Sequence, residues 1–266
     1  MPTAYRVLIR KHLSDPSRLG YEALSEKASR PSAANTLLAA LPHTAYQRLR
    51  IQLTPVPLKL GEVLYEPGRS IRYVYFPTDC VICVLTTVEG QKPVEVGLIG
   101  YEGMLGVSVA LGVGDSFVRA VVQSSGNALR IGAARFRKEF LRCAPLRQEL
   151  FRYVNAKLTL ARQAVACHCF HRAEARLACC LLMTGDRVRS EEFHRDQGLM
   201  AAMLGLTRST VSTCAGHLRQ RQLISYARGK IRIIDRKQLE AAACDCYRYG
   251  KMLNALSSRM TQIQTS

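Results

Sequence analysis

The stretch "DQGLMAAMLGLTRSTVSTCAGHLRQRQLI", from Asp196 to Ile224, constrains the fold more than any other part of this chain. It opens as an apolar helix, and Asp196 is placed to cap it with a side-chain oxygen. Gly205 then interrupts, and glycine readily takes the left-handed conformation that ends a helix. Thr207 is a second cap, for a helix predicted to run to about Gln220. Leu206 and Val211 are expected in the core, while Ala201 leaves room for crossed helices. Two short helices crossed about such a turn form a helix-turn-helix.

The second helix restarts with hydroxyls and a basic residue. In this motif the N-terminal part of the second helix enters the DNA major groove. Arg208, Ser209 and Ser212 fall on one exposed face there, and an arginine can donate two hydrogen bonds to a guanine. Thr207, Thr210 and Thr213 are suited to phosphates or thymine methyls. Beyond Leu223, "ISYARGKIRIID" reads as a β-hairpin with Arg228, Gly229 and Lys230 at its tip. Between Leu206 and Lys237 the chain has eight Lys or Arg and one acid, Asp235, a local excess of +7. The whole chain carries a formal charge of +18. Motif and charge thus point to the same partner, double-stranded DNA. The other reading is a cyclic-nucleotide-responsive signalling module whose basic region contacts a protein or membrane. The basic hairpin and the helix hydroxyls count against it.

The 266 residues suffice for two modest domains, and 48% hydrophobic content is enough for packed cores. Ser32 to Leu41 and Ala45 to Ile51 are predicted short helices. From Gln52 to about Gly132 come short segments rich in β-branched and aromatic residues, among them "IRYVYFP", "CVICVLTTV" and "VRAVVQS". Turn signals such as Pro67-Gly68 and Ser125-Gly126 separate them, which predicts an antiparallel sandwich or barrel. "AARFRKEFLRC" is a basic amphipathic helix. From Pro145 to Phe170 lie some 25 residues without Gly or Pro. In them Phe151, Val154, Leu158, Ala161 and Val165 recur in steps of three and four, a heptad seam. The seam is predicted to join two copies of the chain; a helix laid on its own β-domain is the alternative.

This order of parts, with "LGLTRSTVS", "LRQRQLI" and "RGKIRIID", resembles the Crp–Fnr family, over about Leu41 to Ala243. The resemblance implies an α+β chain. It would have an N-terminal β-jelly-roll domain of cyclic-nucleotide-binding type, a long dimerisation helix and a C-terminal winged helix-turn-helix. The expected divisions are a tail at 1–32, the β-domain at 33–144 and the dimerisation helix at 145–170. The winged domain follows at 171–243, and a second tail at 244–266. The resemblance implies a homodimeric transcription regulator, with RNA polymerase as a further partner. Arg208, Ser209 and Thr213 fall at the family's base-reading positions. The cyclic-AMP receptor has Arg, Glu and Arg there, so its operator is not expected here.

Glu102 and Arg119 fall nearest the family's ribose and phosphate ligands. In "GYEGMLG", however, Glu102 precedes Gly rather than Leu, and Arg119 is followed by Ala-Val instead of a hydroxyl residue. No response to cyclic AMP is expected. An iron–sulfur sensor with N-terminal cysteines is not expected either, since the first cysteine is Cys80.

"CHCFH", Cys167 to His171, places Cys167 and His171 one helical turn apart. A structural zinc site wants two separated ligand pairs. With no second pair evident, no metal and no cofactor are expected. Cys167 and Cys169 are taken as buried small hydrophobes, like Cys179 and Cys180, and Cys244 and Cys246 as exposed near a tail. No catalytic signature is present: no P-loop, no Gly-x-Ser-x-Gly and no His-Glu-x-x-His. No apolar run reaches the roughly 18–20 residues of a membrane span. A cytoplasmic protein with no membrane partner is the expectation.

Overall fold

The computed structural model describes residues 35–87, 89, 93–227 and 229–259. The predicted N-terminal tail, 1–32, and the hairpin residue Arg228 lie outside them.

Two short helices, α1 (Thr36–Ala39) and α2 (His43–Arg50), lead into seven strands. These are β1 (Thr54–Leu58), β2 (Val63–Tyr65), β3 (Tyr73–Pro77), β4 (Val81–Thr86), β5 (Val94–Ile99), β6 (Arg119–Ser124) and β7 (Gly126–Gly132). They make two antiparallel sheets, ordered β1-β7-β3 and β2-β6-β4-β5. Pro55 and Pro57 are tolerated because β1 is an edge strand, where a missing N–H breaks no central ladder. Val74, Phe76, Ile82, Ala120, Val122 and Ile131 fill the space between the sheets. The Gly-rich stretch after β5 holds one turn of helix, α3 (Val107–Ala110).

Helix α4 (Ala133–Arg142) closes this core with Phe136 and Phe140. Helix α5 (Ala144–Phe170) follows, with Pro145 in its first turn, where no N–H partner is lost. Its first half buries Leu146, Leu150 and Tyr153 against the β-domain. The predicted seam lies on another face. Phe151, Leu158, Ala161 and Val165 are exposed and Val154 is half-buried. Leu158 keeps 48% of its surface and Val165 68%.

A second core belongs to the C-terminal part. Helix α6 (Ala173–Val188), strand β8 (Glu192–His194), helices α7 (Gln197–Leu204) and α8 (Arg208–Gln220), strands β9 (Ile224–Ala227) and β10 (Lys230–Ile233) and helix α9 (Arg236–Ala242) surround it. Leu177, Leu181, Phe193, Met200, Val211, Leu218, Ile231 and Leu239 fill it. The wing differs from the predicted two-stranded hairpin. It is a three-stranded sheet ordered β8-β10-β9.

Residues 246–259, within the predicted tail at 244–266, are not a tail. Cys246–Arg259 is a helix, α10. Tyr247 fixes it: the ring is buried and its hydroxyl donates to Asp186 of α6 at 3.0 Å. Arg236 donates to the same hydroxyl at 2.9 Å. Gly250 lies against Leu160 of α5 and Met183 of α6. Cys167, Cys179 and Cys180 are buried as expected, and Cys244, expected to be exposed, is buried too because the chain returns onto α5 there. Cys169 is exposed, contrary to expectation, because it lies off the face of α5 that carries Cys167 inward.

Two ion clusters join the β-domain to the C-terminal core. Arg195, between β8 and α7, makes a bidentate pair with Glu95 of β5, at 2.7 and 2.9 Å. Each side chain is only 1% exposed. Glu102 pairs with Arg187 of α6 at 2.8 Å and with Lys157 of α5 at 3.5 Å.

Candidate nucleic-acid interface

Helix α7 starts where Asp196 accepts the Leu199 N–H at 2.8 Å. It ends at Gly205, whose φ of 58° is the left-handed cap read from the sequence. The Leu206 N–H returns to the Ala201 carbonyl at 2.8 Å and the Gly205 N–H to Ala202 at 3.0 Å, closing the turn. Thr207 caps α8 by accepting the Thr210 N–H at 3.1 Å. Its hydroxyl also lies 2.8 Å from those of Ser209 and Thr210. The Thr207 and Thr210 hydroxyls are therefore spent partly on holding the cap. Val211, Cys214, Ala215 and Leu218 bury one face of α8. Thr207, Arg208, Ser209, Ser212 and Thr213 are exposed on the other, and Thr210 is half-buried.

Arg208 has a seat that the sequence did not suggest. A Cβ placed on Gly198 would lie 2.7 Å from its Nε, so the guanidinium rests on the first turn of α7 because residue 198 has no side chain. Arg208 and Arg219 make no ion pair among the described residues.

The wing's charge is less free than the local count implied. Lys230 pairs with Glu192 of β8, which also accepts from Arg232 at 2.9 and 2.7 Å. Hydrogen bonds from Lys230 and Arg232 hold the Glu192 carboxyl below the usual carboxylate range. Arg221 pairs with Glu174 of α6 at 3.0 Å. Arg236 pairs with Asp186 and with Glu191 and Glu240 at 3.0 and 3.3 Å. Acids outside 206–237 thus neutralise several of its cations, which a count along the chain misses.

The nucleotide-ligand candidates lie in separate ion clusters. Glu102 accepts the Gly100 N–H at 3.1 Å and faces Arg187 and Lys157. Arg119, exposed at the start of β6, pairs with Glu66 at 3.4 Å. Burial works against the Glu102 charge, but Arg187 and Lys157 outweigh it and hold the carboxyl below its ordinary pKa.

Residues 175–242, which hold the capped turn, the buried rear of α8 and the wing, match the Crp-like helix-turn-helix domain. The chain shares its fold with solved Crp/Fnr family regulators. Three solved structures illustrate the likeness. FixK2 from Bradyrhizobium japonicum is 14% identical, with a TM-score of 0.60 over 72% of this chain and 98% of its own. A CRP/FNR family transcriptional regulator, TTHA1359 from Thermus thermophilus, is 20% identical, with a TM-score of 0.55 over 71% and 98%. The c-di-GMP-responsive global regulator CLP from Xanthomonas campestris is 11% identical, with a TM-score of 0.59 over 72% and 99%. No curated protein matches in sequence. In this chain two antiparallel sheets precede the long helix and the helix-turn-helix. No helix among the described residues is long and apolar enough to cross a membrane.

Proposed function

We propose that the protein reads DNA sequence as a homodimer on a pseudo-palindromic site. Each α8 enters one major-groove half-site, the two about 34 Å apart. The observation that carries this reading is the exposed start of α8. There Arg208, Ser209, Ser212 and Thr213 project from a helix whose rear is locked into a core. The α8 N-terminus also presents free N–H groups suited to phosphate. Thr207 and Thr210 shape this end, while Arg228 and Lys230 of the wing serve the sugar–phosphate backbone.

The exposed seam of α5 supports the dimer. Phe151, Val154, Leu158, Ala161 and Val165 would bury against the same residues of a second copy. RNA polymerase is the further partner through which such a regulator acts, from the cytoplasm. The β-domain is a sensor that does not bind cyclic AMP through Glu102 and Arg119, because each is already ion-paired elsewhere.

The test is selection of bound DNA from a random pool, followed by titration at several salt concentrations. A two-fold-symmetric site with steeply salt-dependent affinity is expected. Absence of DNA binding even at low salt would refute the proposal.

A further inference from the structure

Four metal-ligating side chains converge where α5 ends. Cys167 lies in its last turn and His171 is its C-cap, so the two share one face at i and i+4. Cys244, in the α9–α10 loop, and Cys246, the first residue of α10, arrive from the opposite direction. One ligand atom from each of the four lies within 4.8 Å of the other three. Cys167 Sγ is 3.7 Å from Cys244 Sγ. His171 Nδ1 is 3.4 Å from Cys167 Sγ and 3.5 Å from Cys246 Sγ. A tetrahedral zinc centre, with bonds of about 2.3 Å to sulfur and 2.0 Å to nitrogen, separates its ligand atoms by roughly 3.5–3.8 Å. These three spacings lie in that range or within about 0.1 Å of it.

The surroundings fit as well. Cys167 and Cys244 are buried and Cys246 is half-buried, so the site is closed rather than open like a catalytic one. Gln163 Nε2 donates to Cys246 Sγ at 3.2 Å, the kind of outer hydrogen bond that orients a thiolate ligand. Zinc rather than magnesium or calcium is favoured by three sulfurs and an imidazole.

We infer that Cys167, His171, Cys244 and Cys246 form a structural zinc(II) site. Binding deprotonates the three thiols, and their protons pass to solvent. No oxidation state changes. The ion would clasp α10 and the end of the helix-turn-helix domain to the long helix α5. That is the junction between the β-domain and the domain proposed to read DNA. The inference does not depend on DNA binding.

The test uses the full chain, purified reduced and without chelator. Elemental analysis should find one zinc per chain. Replacement by cobalt(II) should give the intense visible bands of a tetrahedral centre and thiolate-to-cobalt charge transfer. His171→Ala and Cys246→Ser should lower zinc retention about tenfold or more, and Gln163→Leu should weaken affinity roughly 10–100-fold with stoichiometry kept. Cys169→Ser, at the neighbouring exposed thiol, should change nothing. Chelation should also expose the 243–246 segment to limited proteolysis. Failure of the reduced wild-type chain to bind zinc or cobalt at one per chain would overturn the inference. So would unchanged retention in both ligand variants, or an obligatory Cys167–Cys244 disulfide.

Discussion

Replacing Arg195 by Met should be among the most damaging single changes in the molecule. Arg195 Nη1 and Nη2 donate to the two oxygens of Glu95, and both side chains are 1% exposed. Among the described residues, loss of the guanidinium would leave the carboxylate only the Cys83 thiol, at 3.3 Å, as a side-chain donor. A buried charge left without its partner costs about 3–5 kcal/mol. That is a large share of a stability that is typically about 5–15 kcal/mol. Glu95→Leu should cost a similar amount, since it strands the guanidinium beside the Cys180 and Met203 sulfurs, each 3.7 Å away. The double variant should recover most of the loss, because an apolar pair of similar volume is often as stable as a buried ion pair. Urea unfolding of the four proteins gives the coupling energy directly. A single-variant cost below about 1 kcal/mol, the range of solvent-exposed pairs, would refute the reasoning.

Leu158→Glu should split the proposed dimer in sedimentation and lower DNA affinity by the effective-concentration factor of roughly 10²–10⁴; a variant that stays dimeric removes α5 as the seam. Gly198→Ala should leave the fold intact, alanine being the better helix former, yet displace the Arg208 guanidinium from its seat. Its signature is a reduced preference at one base pair per half-site, and unchanged selectivity would show the seat to be irrelevant. Glu102 has a lowered folded pKa, so its contribution is present above the ordinary carboxylate value and lost as pH falls through the lower one. Glu102→Gln should therefore flatten the acid limb of a stability-versus-pH curve, and an identical limb in both proteins would count against the Arg187–Lys157 cluster.

What the sequence made legible was mostly local. The Asp196 cap, the Gly205 turn and the Thr207 cap each act within four residues, and all three stand as read. The strands of the β-domain declared themselves through β-branched runs between turns. What stayed hidden depends on residues far apart in the chain. β8 is three residues long and too short to show a period, yet it adds a strand to the wing and supplies Glu192 to Lys230 and Arg232. The seat of Arg208 needs Gly198 from the preceding helix. The second ligand pair for "CHCFH" lies 77 residues from Cys167 at Cys244, and only the return of α10 onto α5 brings it near. Likewise Tyr247 is buried and Gly250 lies against Leu160 and Met183, contacts with distant elements that the pattern of this segment does not announce.

The most direct test of the central claim is the affinity of Arg208→Ala for a selected site and for scrambled DNA, at several salt concentrations. Arg208 stands in the first turn of α8, where side chains reach base edges. Its loss should cost about 1–3 kcal/mol on the selected site, relax preference at one base pair per half-site and leave scrambled DNA far less affected. An equal loss on both DNAs would mean that Arg208 only holds the backbone, and would contradict the assignment of α8 as the reading helix.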